Sequence, residues 1–193
     1  MQQTVFYPEP AKWIGWAIVL SLLAIAAGYW AEFHTGSGNA LFVENGRVEG
    51  TQTIVLLVTA LVFAARAWRS HDPVAFICIP VACILLHAAM RETPRCGSAF
   101  YPGGPCLTAA TKYTLSAIML TIMAVLLYVR RKDFKDALNP RYSLVFWPLG
   151  VAFLMLLAAE LAESRHFEGI EEMLEMLAYC YAFACSIWIY RHI

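Results

Sequence analysis

Six blocks of apolar residues divide the chain, at 13–31, 50–68, 73–90, 113–129, 142–160 and 172–190, and polar residues crowd between them. A hydrocarbon core about 30 Å thick takes roughly 17–25 helical residues, each advancing the chain about 1.5 Å, and every block is close to that length. The blocks lack the alternation of barrel strands, and an open strand would leave backbone donors and acceptors bare in lipid. The pattern therefore predicts an all-α fold: a polytopic transmembrane bundle of six helices, one domain over residues 1–193. Two block ends contain charge. Arg66 is expected to snorkel from the end of the second span, and the sixth reaches back through Glu175 and Glu172 into an acidic turn. Pro80 and Pro148 fall inside the third and fifth blocks, where the missing amide donor commonly kinks a helix.

The first block has Trp13 and Trp16 at one end and Tyr29 and Trp30 at the other, the interfacial positions that amphipathic rings favour. It exceeds the length of a signal-peptide core and follows a single basic residue, Lys12, which predicts an uncleaved first helix. Orientation follows from the loops. Lys12, Arg66, Arg69, Arg130, Arg131, Lys132, Lys135, Arg141 and Arg191 flank one set of helix ends, whereas the other set has Arg47, Arg91, Arg95, Lys112 and Arg165. The positive-inside rule puts the richer set, and both termini, in the cytoplasm. Carboxylates divide the opposite way, with Glu9, Asp72, Asp133 and Asp136 at the basic ends and the remainder on the outer face. Composition agrees with a bilayer protein: 60% of residues are hydrophobic and 15% charged, against about 45–50% and about 25% in soluble domains. A net charge of zero offers nothing to a polyanion, so no nucleic-acid partner is expected.

Candidate chemistry gathers on the outer face. Cys96 and Cys106 share the third-to-fourth connection on the oxidising side, where they are expected to form a structural disulfide, with Pro94, Pro102, Gly103, Gly104 and Pro105 as turn residues. Thiol oxidation of a partner would call for a C-x-x-C pair and a second redox pair, and neither is present. Cys78, Cys83, Cys180 and Cys185 lie within spans and read as small buried apolar residues.

Histidines and carboxylates are the second group. His34, His87 and His166 fall at one membrane level, and Glu32, Glu92, Glu160 and Glu163 end neighbouring helices at a similar depth. Such a set, with Glu175, could hold a divalent metal ion, which would activate water for hydrolysis. No H-x-x-x-H or H-E-x-x-H spacing fixes two ligands on one helix. Glu160-x-x-Glu163 closes the fifth span, and Glu168, Glu171, Glu172 and Glu175 open the sixth, with Glu168, Glu172 and Glu175 along one helical face. Carboxylates at a helix N-terminus complement the dipole, which accounts for the first three but less well for Glu175. Arg91 and Arg165 are the available partners for these glutamates, Glu163 included, and an Arg91–Glu pair would hold several helices together. In the first outer loop, Gly36, Ser37, Gly38 and Asn39 read as a flexible turn and Asn45-Gly46 as a tight one, and Leu41, Phe42 and Val43 as an apolar cap on the bundle or interface.

Three short motifs, Glu44-x-Gly-x-x-Glu49, Arg91-Glu92 and Glu171-Glu172-x-x-Glu175, resemble those of uncharacterised small bacterial multispanning inner-membrane proteins. The resemblance implies a bacterial inner-membrane location and carries no activity. Membrane hydrolases related to ceramidases have a full histidine and aspartate metal set whose spacing this chain lacks. The leading expectation is an outward cavity lined by His87, Glu92, Glu160 and Glu175, with His34 and His166, that binds a cation or a polar lipid headgroup. One rival is a metal-dependent enzyme acting on a membrane lipid. The other is a non-catalytic subunit, in a homo-oligomer or with a membrane-protein partner, presenting lipid-facing Trp147, Phe183 and Trp188.

Overall fold

A computed structural model describes residues 6–34, 47–97 and 106–193, and among these the only regular elements are helices. Six are long: α1 (Pro10–His34), α2 (Arg47–Arg69), α3 (Pro73–Glu92), α4 (Ala109–Val129), α5 (Trp147–Glu163) and α6 (Glu168–His192). All six are long and apolar enough to cross a membrane, α5 together with the turns Pro140–Ser143 and Leu144–Phe146 that lead into it. Exposed Trp16, Leu22, Leu61, Ile84, Tyr128 and Leu161 leave an apolar outer surface suited to lipid.

Local chemistry sets the helix ends. Asp72 caps α3 by accepting from the Ala75 amide at 2.7 Å, with Pro73 at the first helical position, where its missing donor costs nothing. Thr108 caps α4 in the same way through the Thr111 amide. Pro80 lies inside α3, as the sequence implied. Pro148 does not: Leu144–Phe146 form a 3-10 turn, α5 starts at Trp147, and Pro148 occupies the first turn of a new helix instead of interrupting a continuous one. At the other end of α5, His166 takes a positive φ of 61°. The Phe167 amide then reaches back to the Ala162 carbonyl at 3.0 Å and the His166 amide to Glu163 at 2.8 Å. This left-handed cap turns the chain directly into α6.

Helix α6 is the axis of the bundle, packed against α1, α2 and α5, while α3 lies along α2 and α4 packs chiefly on α3. Small residues make the contacts: Ala17 and Ala178, then Ala24 and Ala159, with Met155, Leu174 and Tyr181 filling the spaces around them. Nearer the chain termini the core is Phe63, Cys78, Val145, Cys185 and Ile189. Helix α4 has no buried residue at all.

Several expectations change here. Arg66 does not snorkel; the short α2–α3 turn folds Asp72 back over it, burying the residue to 3% exposure with Nη2 2.7 Å from Asp72 Oδ2. Trp147, Phe183 and Trp188 are half-buried: the Trp147 indole donates to the Pro8 carbonyl, and Trp188 packs on the core. Cys78, Cys83 and Cys185 are buried as expected, but Cys180 is exposed, because its side of α6 has no neighbouring helix over it. Gly36, Ser37, Gly38, Asn39, Leu41, Phe42, Val43, Glu44, Asn45 and Gly46, and the turn residues Pro102, Gly103, Gly104 and Pro105, lie outside the described residues.

Candidate functional site

Alternating helix directions bring the end of α3 and the starts of α2, α4 and α6 to one end of the bundle. The carboxylates collect there. Helix α3 stops at Glu92 because Thr93 turns extended before Pro94, so the last-turn side chains point at the start of α6. Glu92 is buried, and its Oε1 accepts a hydrogen bond from the Tyr179 hydroxyl at 3.0 Å. One turn earlier along α6, buried Glu175 has Oε1 3.4 Å from Arg91 Nη2. Arg91 Nε lies 3.8 Å from Glu92 Oε1, so one guanidinium serves two buried carboxylates, and its own side chain is 64% exposed. Lys112, the next cation, donates instead to the Thr93 carbonyl at 2.6 Å.

Helix α2 contributes Gln52, which is fully buried. Its Nε2 donates to Glu172 Oε2 at 2.9 Å and to the Glu172 backbone carbonyl at 3.2 Å. These donors orient the amide, leaving Gln52 Oε1 buried with no partner. Two further oxygens share that condition: Thr53 Oγ1 beside it and Glu32 Oε2 on α1. Glu32 belongs to this end because Gly28, one turn before it, lets α1 touch the first turn of α6. Buried polar atoms normally find partners; here Glu32 Oε2 and Gln52 Oε1 are acceptors left without a donor, and the Thr53 hydroxyl is used neither as donor nor as acceptor.

The predicted residues divide between this cluster and positions away from it. Glu92, Glu175 and Arg91 are brought together, as the expected Arg91–Glu pair. Glu160, Glu163 and Arg165 are exposed around the α5–α6 turn, and among the described residues Glu163 and Arg165 enter no ion pair. His34 is exposed and stacks on Trp30 of its own helix, with ring centroids 4.4 Å apart. His166 serves as the left-handed cap described above. His87 is half-buried, with Nδ1 2.9 Å from the Cys83 carbonyl one turn back and 3.7 Å from the Cys83 sulfur. Among the described residues no three His, Cys, Asp or Glu side chains form a set able to hold a metal ion.

Gln52 and Tyr179 were not expected. Tyr179 continues the face of Glu168, Glu172 and Glu175, one turn after Glu175, so its place was open to the same spacing argument. Gln52 offered no signal, being one polar residue at the start of an apolar block. Beside the cluster, the Cys96 and Cys106 sulfurs are bonded, with Cα atoms 5.1 Å apart. Amide bonds from Cys96 to the Leu107 carbonyl and from Leu107 to the Pro94 carbonyl reinforce the link between α3 and α4.

No protein-family model, curated protein or solved structure matches this chain. The functional reading therefore rests on the site's own chemistry.

Proposed function

We propose that this is a multi-pass protein of the bacterial inner membrane, with both termini in the cytoplasm, that binds a small cation at the periplasmic end of its bundle. Among the described residues Glu92, Glu172 and Glu175 do not converge as a metal-ligand set but surround the site with negative charge, and Gln52 supplies a neutral oxygen. Tyr179 holds Glu92 in position, and Arg91 neutralises part of the charge. One observation carries the reading: two buried acceptors at this end of the bundle, Glu32 Oε2 and Gln52 Oε1, have no partner, and the buried carboxylates Glu92 and Glu175 share one guanidinium. A structural network gains stability by pairing its groups. One left with spare acceptors and spare negative charge is suited to a cation or a shared proton. An ammonium headgroup meets the same chemistry as an inorganic cation.

Isothermal titration of the purified chain with sodium, potassium, magnesium and choline tests this, paired with cation flux into liposomes. Saturable binding of one of them is expected, weakened at least about tenfold by Glu175→Gln, the loss of one charge-assisted contact. Binding without flux would identify a receptor or structural cation site, and binding with flux a transport pathway. No binding of any of the four, with Glu175→Gln as stable as the parent, would overturn the reading.

A further inference from the structure

The opposite end of the bundle contains a second feature, unrelated to the carboxylate cluster. Between α2, α3 and α4 lies a cavity of about 230 Å³, lined almost wholly by apolar atoms. Ala64 on α2, Ala82 and Cys83 on α3, and Met119 and Met123 on α4 line it, with Arg130 at its mouth. It exists because α4 packs chiefly on α3 and buries none of its residues, so small side chains on α2 and α3 face a helix standing off from them.

The dimensions and charge of this cavity specify an occupant. From Met119 to Arg130 the helix advances by roughly 16 Å at about 1.5 Å per residue, half of a hydrocarbon core about 30 Å thick. The cavity therefore has the depth of one leaflet. Unbranched methionines on its wall adapt to a flexible chain. At its mouth the half-buried Arg130 is fixed by donating Nη1 to the Ser70 carbonyl at 3.1 Å, and a guanidinium has further donors to offer. Arg131 follows, stacked over Tyr128 with its guanidinium carbon 4.4 Å from the ring centroid, and then Lys132. A second copy approaching in the same orientation would bring like charge against this mouth, whereas an anionic headgroup meets opposite charge there.

We propose that the cavity holds an acyl chain of an anionic phospholipid from the leaflet at the basic end, with its phosphate on Arg130. The acyl chain lies between α3 and α4 and supplies the packing that α4 lacks.

Native mass spectrometry of the full chain released from nanodiscs of mixed phosphatidylglycerol and phosphatidylcholine reads this directly. The expected result is one retained phosphatidylglycerol per chain, preferred over phosphatidylcholine by about tenfold, the size of a charge-assisted contact. Arg130→Gln should abolish the headgroup preference while the chain still folds. Ala82→Phe and, separately, Ala64→Phe should fill the cavity and remove the retained lipid. Each variant is compared at equal thermal stability, and the two cavity variants guard against misfolding in either one. Equal retention of both lipids by the parent, undiminished retention in both filled variants, or a lipid-free dimer would each overturn the proposal.

Discussion

Gly28 and Gly169 bring α1 and α6 together backbone to backbone: a methyl group on Gly28 would collide with the Gly169 carbonyl. Small residues at helix crossings permit such approach, which in a membrane replaces the hydrophobic drive available in water. Gly28→Leu should therefore cost about 1–3 kcal/mol through overpacking, read as a lower unfolding midpoint in detergent, while the same change at Gly15, with nothing within 4 Å, should be silent. Arg66 has the opposite character. It is buried against Asp72, with Nε and Nη1 left without partners. Arg66→Met alone strands the Asp72 carboxylate and should cost about 3–5 kcal/mol. Arg66→Met with Asp72→Asn should recover most of that, because asparagine still caps α3; equal losses in the single and double variants would contradict this account. Tyr179→Phe removes the donor to Glu92 and should cost about 0.6–1.7 kcal/mol, the range of hydrogen bonds between membrane helices.

Several helix ends are held by local devices. Asp72 and Thr108 cap α3 and α4, and His166 bends the chain between α5 and α6. The Cys96–Cys106 bond joins α3 to α4 across a sequence separation of 10. That bond matters more than usual because α4 has no buried residue. Replacing both cysteines by serine should lower stability by about 2–3 kcal/mol. The loss should concentrate in α4, measured as faster hydrogen exchange over Ala109–Val129 with α6 unchanged. Uniform acceleration in all six helices would show instead that α4 is integral to the core. The disulfide was legible from two cysteines ten residues apart in one short connection. The looseness of α4 was not, since its block is as apolar as the others and hydrophobicity does not distinguish a lipid neighbour from a protein one.

Across the whole molecule the two ends differ in the sign of their surplus. Near the chain termini Arg66 has unpaired nitrogen donors, and Arg69 bonds to the Tyr190 hydroxyl and stacks over its ring. At the far end the buried unpaired side-chain atoms among the described residues are oxygens. The positive-inside rule then makes a definite prediction. A fluorescent protein fused after Ile193 should glow and alkaline phosphatase there should be inactive, whereas phosphatase inserted at the α5–α6 turn should be active. The reverse pattern would invert the membrane orientation and make the carboxylate cluster cytoplasmic.

By itself the sequence determined that the chain is helical, that six segments are long and apolar enough to cross a bilayer, and which polar groups share an end. Those properties depend on block length and on alternating helix direction, which need no knowledge of neighbours. Only tertiary structure decided which groups meet. It buried Glu175 while leaving Glu160 exposed, chose Gln52 and Tyr179 as partners of the glutamates, turned His166 into a backbone cap and drew Asp72 over Arg66. A residue's depth along its helix follows from its number, but its direction toward protein or lipid depends on which helices pack on which. That in turn depends on small contacts such as Gly28 against Gly169, which hydropathy does not register.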